Sequence, residues 1–282
     1  MRVAARIGAL IAAAALAACG PDFGALEPGE KGRVARVFDG DTLALDTGLR
    51  VTLTEIEAPY GDEPFAAQAR AGLEQMALER PARLAYGGAR RYAPRTRPAK
   101  QGEAPAEAPA ETALAHVYVQ SEGGRWIWLQ GAMVEQGLAF ARPRKENHAR
   151  TQDLFAAEER ARAAGRGLWG ERAYRVRTPA QLVAEVETLP PSCRRGPFRV
   201  VEGVVRSVSA SDDRAYLNFG DDYRTDFTIA IYEEDISSWR ESGPDFQSFQ
   251  GQSVRARGRV GARGGPLMCL DHPAQITIAA AR

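Results

Sequence analysis

The stretch that constrains this chain most runs from Val34 to Pro59, VARVFDGDTLALDTGLRVTLTEIEAP. Leu43 and Leu45 alternate with other residues before Asp46-Thr47-Gly48, and Val51 and Leu53 do the same after it, with Ile56 next. A period of two on both sides of an Asp-Thr-Gly turn predicts a hairpin with one buried face. Just ahead of it, Asp39-Gly40-Asp41-Thr42 packs two carboxylates and a hydroxyl around a glycine, and the hairpin brings Glu57 back towards that bend. Carboxylates gathered at the rim of a sheet suit a hard cation such as calcium, which takes oxygen ligands. Asp and Gly also make ordinary surface bends. The local pattern leaves both readings open.

Upstream, Arg2 and Arg6 precede a short apolar run, Ile7 to Leu16, and then Leu16-Ala17-Ala18-Cys19. The run falls short of the roughly 20 apolar residues that span a bilayer. Its layout is that of an export signal with small residues before the cleavage position. It resembles the lipobox of bacterial lipoproteins, which implies lipid attachment at Cys19 and a membrane-anchored protein of the cell envelope. Gly20 in the next position points to the outer membrane, facing the periplasm. On this reading residues 1–19 are a lipoprotein signal and 20–30 a tether. With Cys19 assigned to lipid, Cys193 and Cys269 remain. An oxidising compartment favours a disulfide between them over a metal site, a buried reduced pair being the alternative.

Lysine and arginine total 37 against 36 aspartates and glutamates, so no global basic field advertises a polyanionic partner. Locally, Arg83, Arg90, Arg91, Arg95, Arg97 and Lys100 cluster, as do Arg142, Arg144 and Lys145. Such clusters either bind polyanions or form solvated loops. Pro64 to Arg80 has helical spacing, with Asp62 as N-cap, and Ala82 to Tyr86 reads as a strand. Residues 92–112 contain no aliphatic side chain larger than alanine and cannot build a core, which predicts a disordered insertion. Leu114 to Gln120 resumes a strand, Gly131 to Leu138 is a short helix, and Gln152 to Arg166 is a longer one. Glycines at 165 and 167 suit a helix C-cap, and Leu168-Trp169 follow as an apolar latch.

In this order the segments Asp39-Gly40-Asp41-Thr42, Ile56-Glu57-Ala58-Pro59, Leu114-Ala115, Gly137-Leu138-Ala139 and Glu158 through Trp169 resemble the staphylococcal-nuclease (thermonuclease) family, over about residues 31–173. The resemblance implies an OB-fold barrel of five strands with three helices, and calcium-dependent phosphodiester hydrolysis of DNA and RNA. It assigns the metal to Asp41, Glu57 and the Ala58 carbonyl, with Asp39 and Thr42 as further oxygen donors, and single-stranded nucleic acid as partner. The catalytic set is incomplete. The family's strand arginine falls on Thr52, its catalytic glutamate on Tyr60 and its second arginine on Thr112. A tyrosine cannot replace a carboxylate base at neutral pH without a large pKa shift. Nearby substitutes are Arg50, Arg91 and Arg95 for the arginines, and Asp62 or Glu63 for the glutamate.

After a connector, residues 174–194, come five predicted strands: Phe198 to Val208, Tyr216 to Gly220, Phe227 to Tyr232, Ser253 to Val260, and Gln275 to Ala279. These predict a second, smaller OB-like β-barrel over 195–282, with Phe246 to Gln250 a helix or turn. Arg255, Arg257 and Arg259 share one strand face, either contacting phosphate or solvated. His272 is either catalytic or a loop histidine packed beside Pro273. The fold class expected is mainly β with helices (α+β). The expected function is that of a thermonuclease-family envelope lipoprotein with weak or lost hydrolysis. The alternative is a non-catalytic scaffold lipoprotein binding nucleic acid, glycan or protein.

Overall fold

The computed structural model describes residues 20–92 and 112–279; Cys19, Arg95 and the core of the expected insertion lie outside them. The alternating hairpin forms as the sequence predicts. β1 (Glu27–Val37), β2 (Thr42–Leu45) and β3 (Arg50–Leu53) are antiparallel neighbours, with Leu43 opposite Val51. Leu43, Leu45, Val51 and Leu53 all point into the core and are essentially inaccessible to solvent. Next come β4 (Ile56–Glu57), α1 (Ala66–Ala77), β5 (Pro81–Tyr86), β6 (Arg91–Tyr92), β7 (Thr112–Gln120), β8 (Trp126–Trp128), α2 (Leu129–Glu135), β9 (Phe140–Ala141) and α3 (Thr151–Ala163). β3 runs parallel to β7, β7 pairs with β5, and β5 pairs with the first half of β1, which closes the barrel. The helices cover it with Ala69, Leu73 and Ala77 of α1, Met133 and Val134 of α2, and Leu154 and Ala157 of α3.

Two local expectations change. The helix over 66–77 is not capped by Asp62. Residues 60–63 close a turn of their own, Tyr60 N–H to Glu63 Oε2 at 3.0 Å and Glu63 N–H to the Tyr60 carbonyl at 3.1 Å. The helix then starts after Phe65, whose φ is +70°. The expected tether is also partly folded: β1 begins at Glu27, Leu26 is buried, and Phe23 meets Tyr118 edge-on with ring centres 5.1 Å apart.

The second barrel repeats the topology of the first. Its elements are β10 (Phe198–Val204), β11 (Ser207–Ala210), β12 (Ala215–Asn218), β13 (Thr228–Ile231), α5 (Glu233–Ser242), β14 (Ser253–Arg263), β15 (Gly265–Cys269) and β16 (Ile276–Ile278). Here β13 runs parallel to β15, β15 pairs with β14 and β14 with β10. The barrel strand after β14 is therefore Gly265–Cys269; the expected strand near 275–279 is β16, an addition alongside β14. Before the barrel, α4 (Pro179–Ala184) interrupts the connector. It is fixed by a reciprocal cap between Thr178 and Gln181 and by the fully buried Leu182. Cys193 and Cys269 form a disulfide that ties the lead-in of β10 to β15.

The two barrels meet over a shared apolar cluster. Phe140 and Leu168 of the first pack with Tyr174, Phe198 and Val200, and the Phe140 and Phe198 rings are 5.1 Å apart. Gln275 donates to the Pro143 carbonyl at 3.1 Å, and His148 stacks on His272 with ring centres 4.3 Å apart. The His272 pKa is pushed down to about 4, by burial first and then by the His148 imidazole, while Asp271 and Glu55 oppose the shift. An unfolded histidine titrates near 6.5. Between the two values the unfolded chain binds a proton that the folded chain does not, so this contribution is complete above about pH 6.5 and is lost as pH falls through that window. His272→Asn keeps an acceptor for the Ala274 N–H, which His272 Nδ1 now receives at 3.1 Å. Its Tm should drop less between pH 7.5 and 4.5 than that of the unaltered chain; an equal drop would show that this ring does not set the sensitivity.

Candidate functional site

The bend at 39–42 is built by close packing. A Cβ on Gly40 would lie 2.6 Å from Ala58 Cβ and 2.8 Å from Ala69 Cβ, so only glycine lets the bend press against β4 and α1. This brings Asp41 to the start of the Ala58-Pro59 segment. Asp41 Oδ2 accepts the Ala58 N–H at 3.0 Å and Oδ1 accepts the Thr42 hydroxyl at 3.1 Å. Asp39 Oδ1 accepts the Asp41 N–H at 3.1 Å. Burial, helped by the charges of Asp39 and Glu57, raises the Asp41 pKa to about 8.

Glu57 lies beside it in a different setting. β4 pairs with β9, which places Arg142 directly after Ala141 and against Glu57. Arg142 donates to Glu57 Oε2, and an Arg144 nitrogen lies 3.6 Å from the same oxygen. The other oxygen, Oε1, is taken by Arg259 from β14 of the second barrel. Arg259 also donates to the Gly196 carbonyl at 2.8 Å, and its guanidinium lies 5.0 Å from the Tyr60 ring centre. Burial opposes ionisation of Glu57, but Arg142, Arg259 and Arg144 outweigh it and hold the pKa at about 2. Both of its oxygens are therefore committed to guanidinium groups, at the place where the resemblance puts a metal.

Arg255, Arg257 and Arg259 of β14 are bound by protein groups rather than left to solvent. Arg257 donates to Glu158 and to the Ala141 carbonyl (3.3 Å), and its guanidinium lies 4.2 Å from the Phe155 ring centre. Arg255 bonds Glu202 at 2.6 Å and lies 3.6 Å from Glu159. Glu158, in the segment that resembles the family motif, also accepts the Ala141 N–H at 2.8 Å. The face of β14 that alternation singled out is thus the docking face between barrels.

Of the candidate substitutes, Glu63 lies at the edge of the cluster around Glu57, 4.0 Å from an Arg259 nitrogen, and Arg50 and Arg91 have partners of their own. Arg50 lies 4.2 Å from the Phe38 ring centre, Arg91 pairs with Glu30 at 3.0 Å, and Glu63 accepts the Tyr60 N–H. Thr52 sits opposite Thr42 in the hairpin, and Thr112 is buried opposite Arg50. Among the described residues no group of three or more His, Cys, Asp or Glu is disposed to hold a metal ion. Sequence reasoning noted Arg142 and Arg144 only as a basic cluster, and nothing local tied Arg259 to Glu57. It missed Glu55 altogether, a fully buried carboxylate at φ +63°. Glu55 accepts the Arg150 N–H and the Thr151 hydroxyl at 3.1 Å each and meets His116 Nε2 at 3.0 Å, which caps α3 from a distant loop. Trp128 donates to His116 Nδ1 at 3.3 Å, so Nε2 carries the proton given to Glu55.

Residues 50–171 match the family model of staphylococcal nuclease homologues. The chain therefore carries a staphylococcal nuclease-like domain, followed by a second domain of the same OB-like topology. A protein of Haemophilus influenzae described as an uncharacterized endonuclease is 29% identical over 143 residues. The similarity covers 49% of this chain and 66% of that protein, just under two thirds of its length.

Proposed function

We propose that this is a non-catalytic binding protein built on a nuclease-family fold and held at the cell envelope by lipid on Cys19. One observation carries the reading: both carboxylate oxygens of Glu57 are engaged by Arg142 and Arg259. The donor set does not fit calcium. Asp41 already accepts two hydrogen bonds, and Glu57 offers its lone pairs to cations the chain itself supplies. Thr52, Tyr60 and Thr112 stand where the resemblance expects the catalytic arginines and glutamate, and Glu63, the nearest carboxylate, accepts the Tyr60 N–H and lies beside Arg259. Loss of such oriented groups costs orders of magnitude in rate. The anchoring half of the reading rests on Leu16-Ala17-Ala18-Cys19 behind a basic and then apolar start.

The test is cleavage of single-stranded DNA by residues 20–282, in calcium and in chelator, beside Asp41→Ala. The reading expects no cleavage above that variant. Calcium-dependent cleavage abolished by Asp41→Ala would establish the competing reading, a working phosphodiesterase.

A further inference from the structure

The second barrel keeps one face of its sheet open. Along β12, Ala215 and Leu217 point into the core while Tyr216 and Asn218 point outward. Register carries the outward row across the sheet: Ser209 lies opposite Tyr216, Ser207 opposite Asn218, Asn218 opposite Thr228, and Thr228 beside Leu267. Tyr223, on the loop between β12 and β13, and Tyr232, just past β13, border the same face. Tyr216, Asn218, Thr228 and Leu267 line with them a cleft of about 580 Å³. Its floor is an ordered polar row, with Asn218 donating to Ser207 at 3.2 Å and accepting from Thr228 at 3.2 Å.

The charge around the cleft narrows the ligand class. A hollow continuing from it, of about 390 Å³, is lined by Asp213, Glu233 and Glu234 as well as arginines. Arg214 is bound by Asp213 and Arg194 by Glu234, while Arg240 of α5 and Arg224 of the loop before β13 lie 3.1 and 3.9 Å from Asp212 and Asp222. Of the arginines lining the cleft and hollow, Arg263 alone has no carboxylate partner among the described residues. Single-stranded nucleic acid needs aromatic platforms together with a row of unpaired cations along the backbone. The platforms are present and the row is not, and the rim carboxylates repel a polyanion. What remains is a ligand with flat, weakly polar faces and many hydroxyls: faces for Tyr216, Tyr223 and Tyr232, hydroxyls for Asn218, Thr228 and Arg263.

We infer that this cleft is a binding site for a short oligosaccharide. The inference stands on the second barrel alone, so the nuclease assay does not bear on it. The experiment is isothermal titration of residues 20–282 with hexamers of β-linked N-acetylglucosamine, β-linked glucose and α-linked glucose, and with a twelve-nucleotide oligothymidylate. Saturable binding to at least one hexamer is expected. Tyr216→Ala should weaken it roughly threefold to tenfold, the size of one aromatic contact. Tyr223→Ser, at a side chain that is 62% exposed, tests the same contact without risk to folding. Binding of the oligothymidylate alone, binding of no hexamer, or hexamer binding untouched by both substitutions would each overturn the inference.

Discussion

Glu57→Gln lowers the stability of residues 20–282, measured by urea unfolding in chelator, by about 3–5 kcal/mol, the cost of leaving buried charge uncompensated. The substitution keeps the volume but removes the anion on which Arg142, Arg144 and Arg259 converge, and turns one of its two acceptor oxygens into a donor. Arg142 and Arg259 have only 15% and 11% of their side chains exposed, so water cannot take over from the carboxylate. The sign of the effect separates two accounts. In a metal site measured without metal, two neighbouring carboxylates repel each other, and neutralising one stabilises the fold. A rise in midpoint for Glu57→Gln would therefore mean that the guanidinium groups do not hold this site in solution.

The second large effect concerns the contact between Arg257 and Glu158. Both side chains are over nine-tenths buried, and they bridge β14 of one barrel to α3 of the other. Arg257→Ala leaves the Glu158 carboxylate with the Ala141 N–H but no cation; Glu158→Ala leaves the guanidinium with a carbonyl and the Phe155 ring. Each single change should cost about 3–5 kcal/mol. The double change should cost less than the sum of the two by about 1–3 kcal/mol, because residues that share a contact are not additive. Additive losses would show that the pair is not coupled.

Much of the architecture is readable from period and punctuation. Leu43, Leu45, Val51 and Leu53 announce the hairpin, and each proves buried. Gly165 and Gly167 announce the end of α3, both with positive φ. The second barrel is less legible. Gly265-Pro266-Leu267-Met268-Cys269 has no alternation and opens with two strand-averse residues, yet it is the barrel strand parallel to β13. Helix α5 buries only Ile236 and Trp239 amid acidic and serine residues, too thin a stripe to read as amphipathic.

The candidate site is legible in its carboxylates and illegible in its cations. Asp41 and Glu57 are announced by the DGDT bend and by Ile56-Glu57-Ala58-Pro59. Arg259 meets Glu57 across a sequence separation of 202, through a docking of two domains that no local pattern encodes. Alternation did place Arg255, Arg257 and Arg259 on one face of β14. It could not say that the face opposite them would be Glu159, Glu158 and Glu57 of another barrel. Thr52, Tyr60 and Thr112 are legible in the sequence as departures from the pattern it resembles.

The central claim of the proposed function is that the chain's own guanidinium groups occupy the position to which the resemblance assigns a cation. Calcium titration calorimetry on residues 20–282, with Asp41→Asn beside it, tests that claim most directly. The account predicts no saturable heat and no change in Tm at millimolar calcium for either protein. One calcium bound per chain, lost in Asp41→Asn, would contradict it.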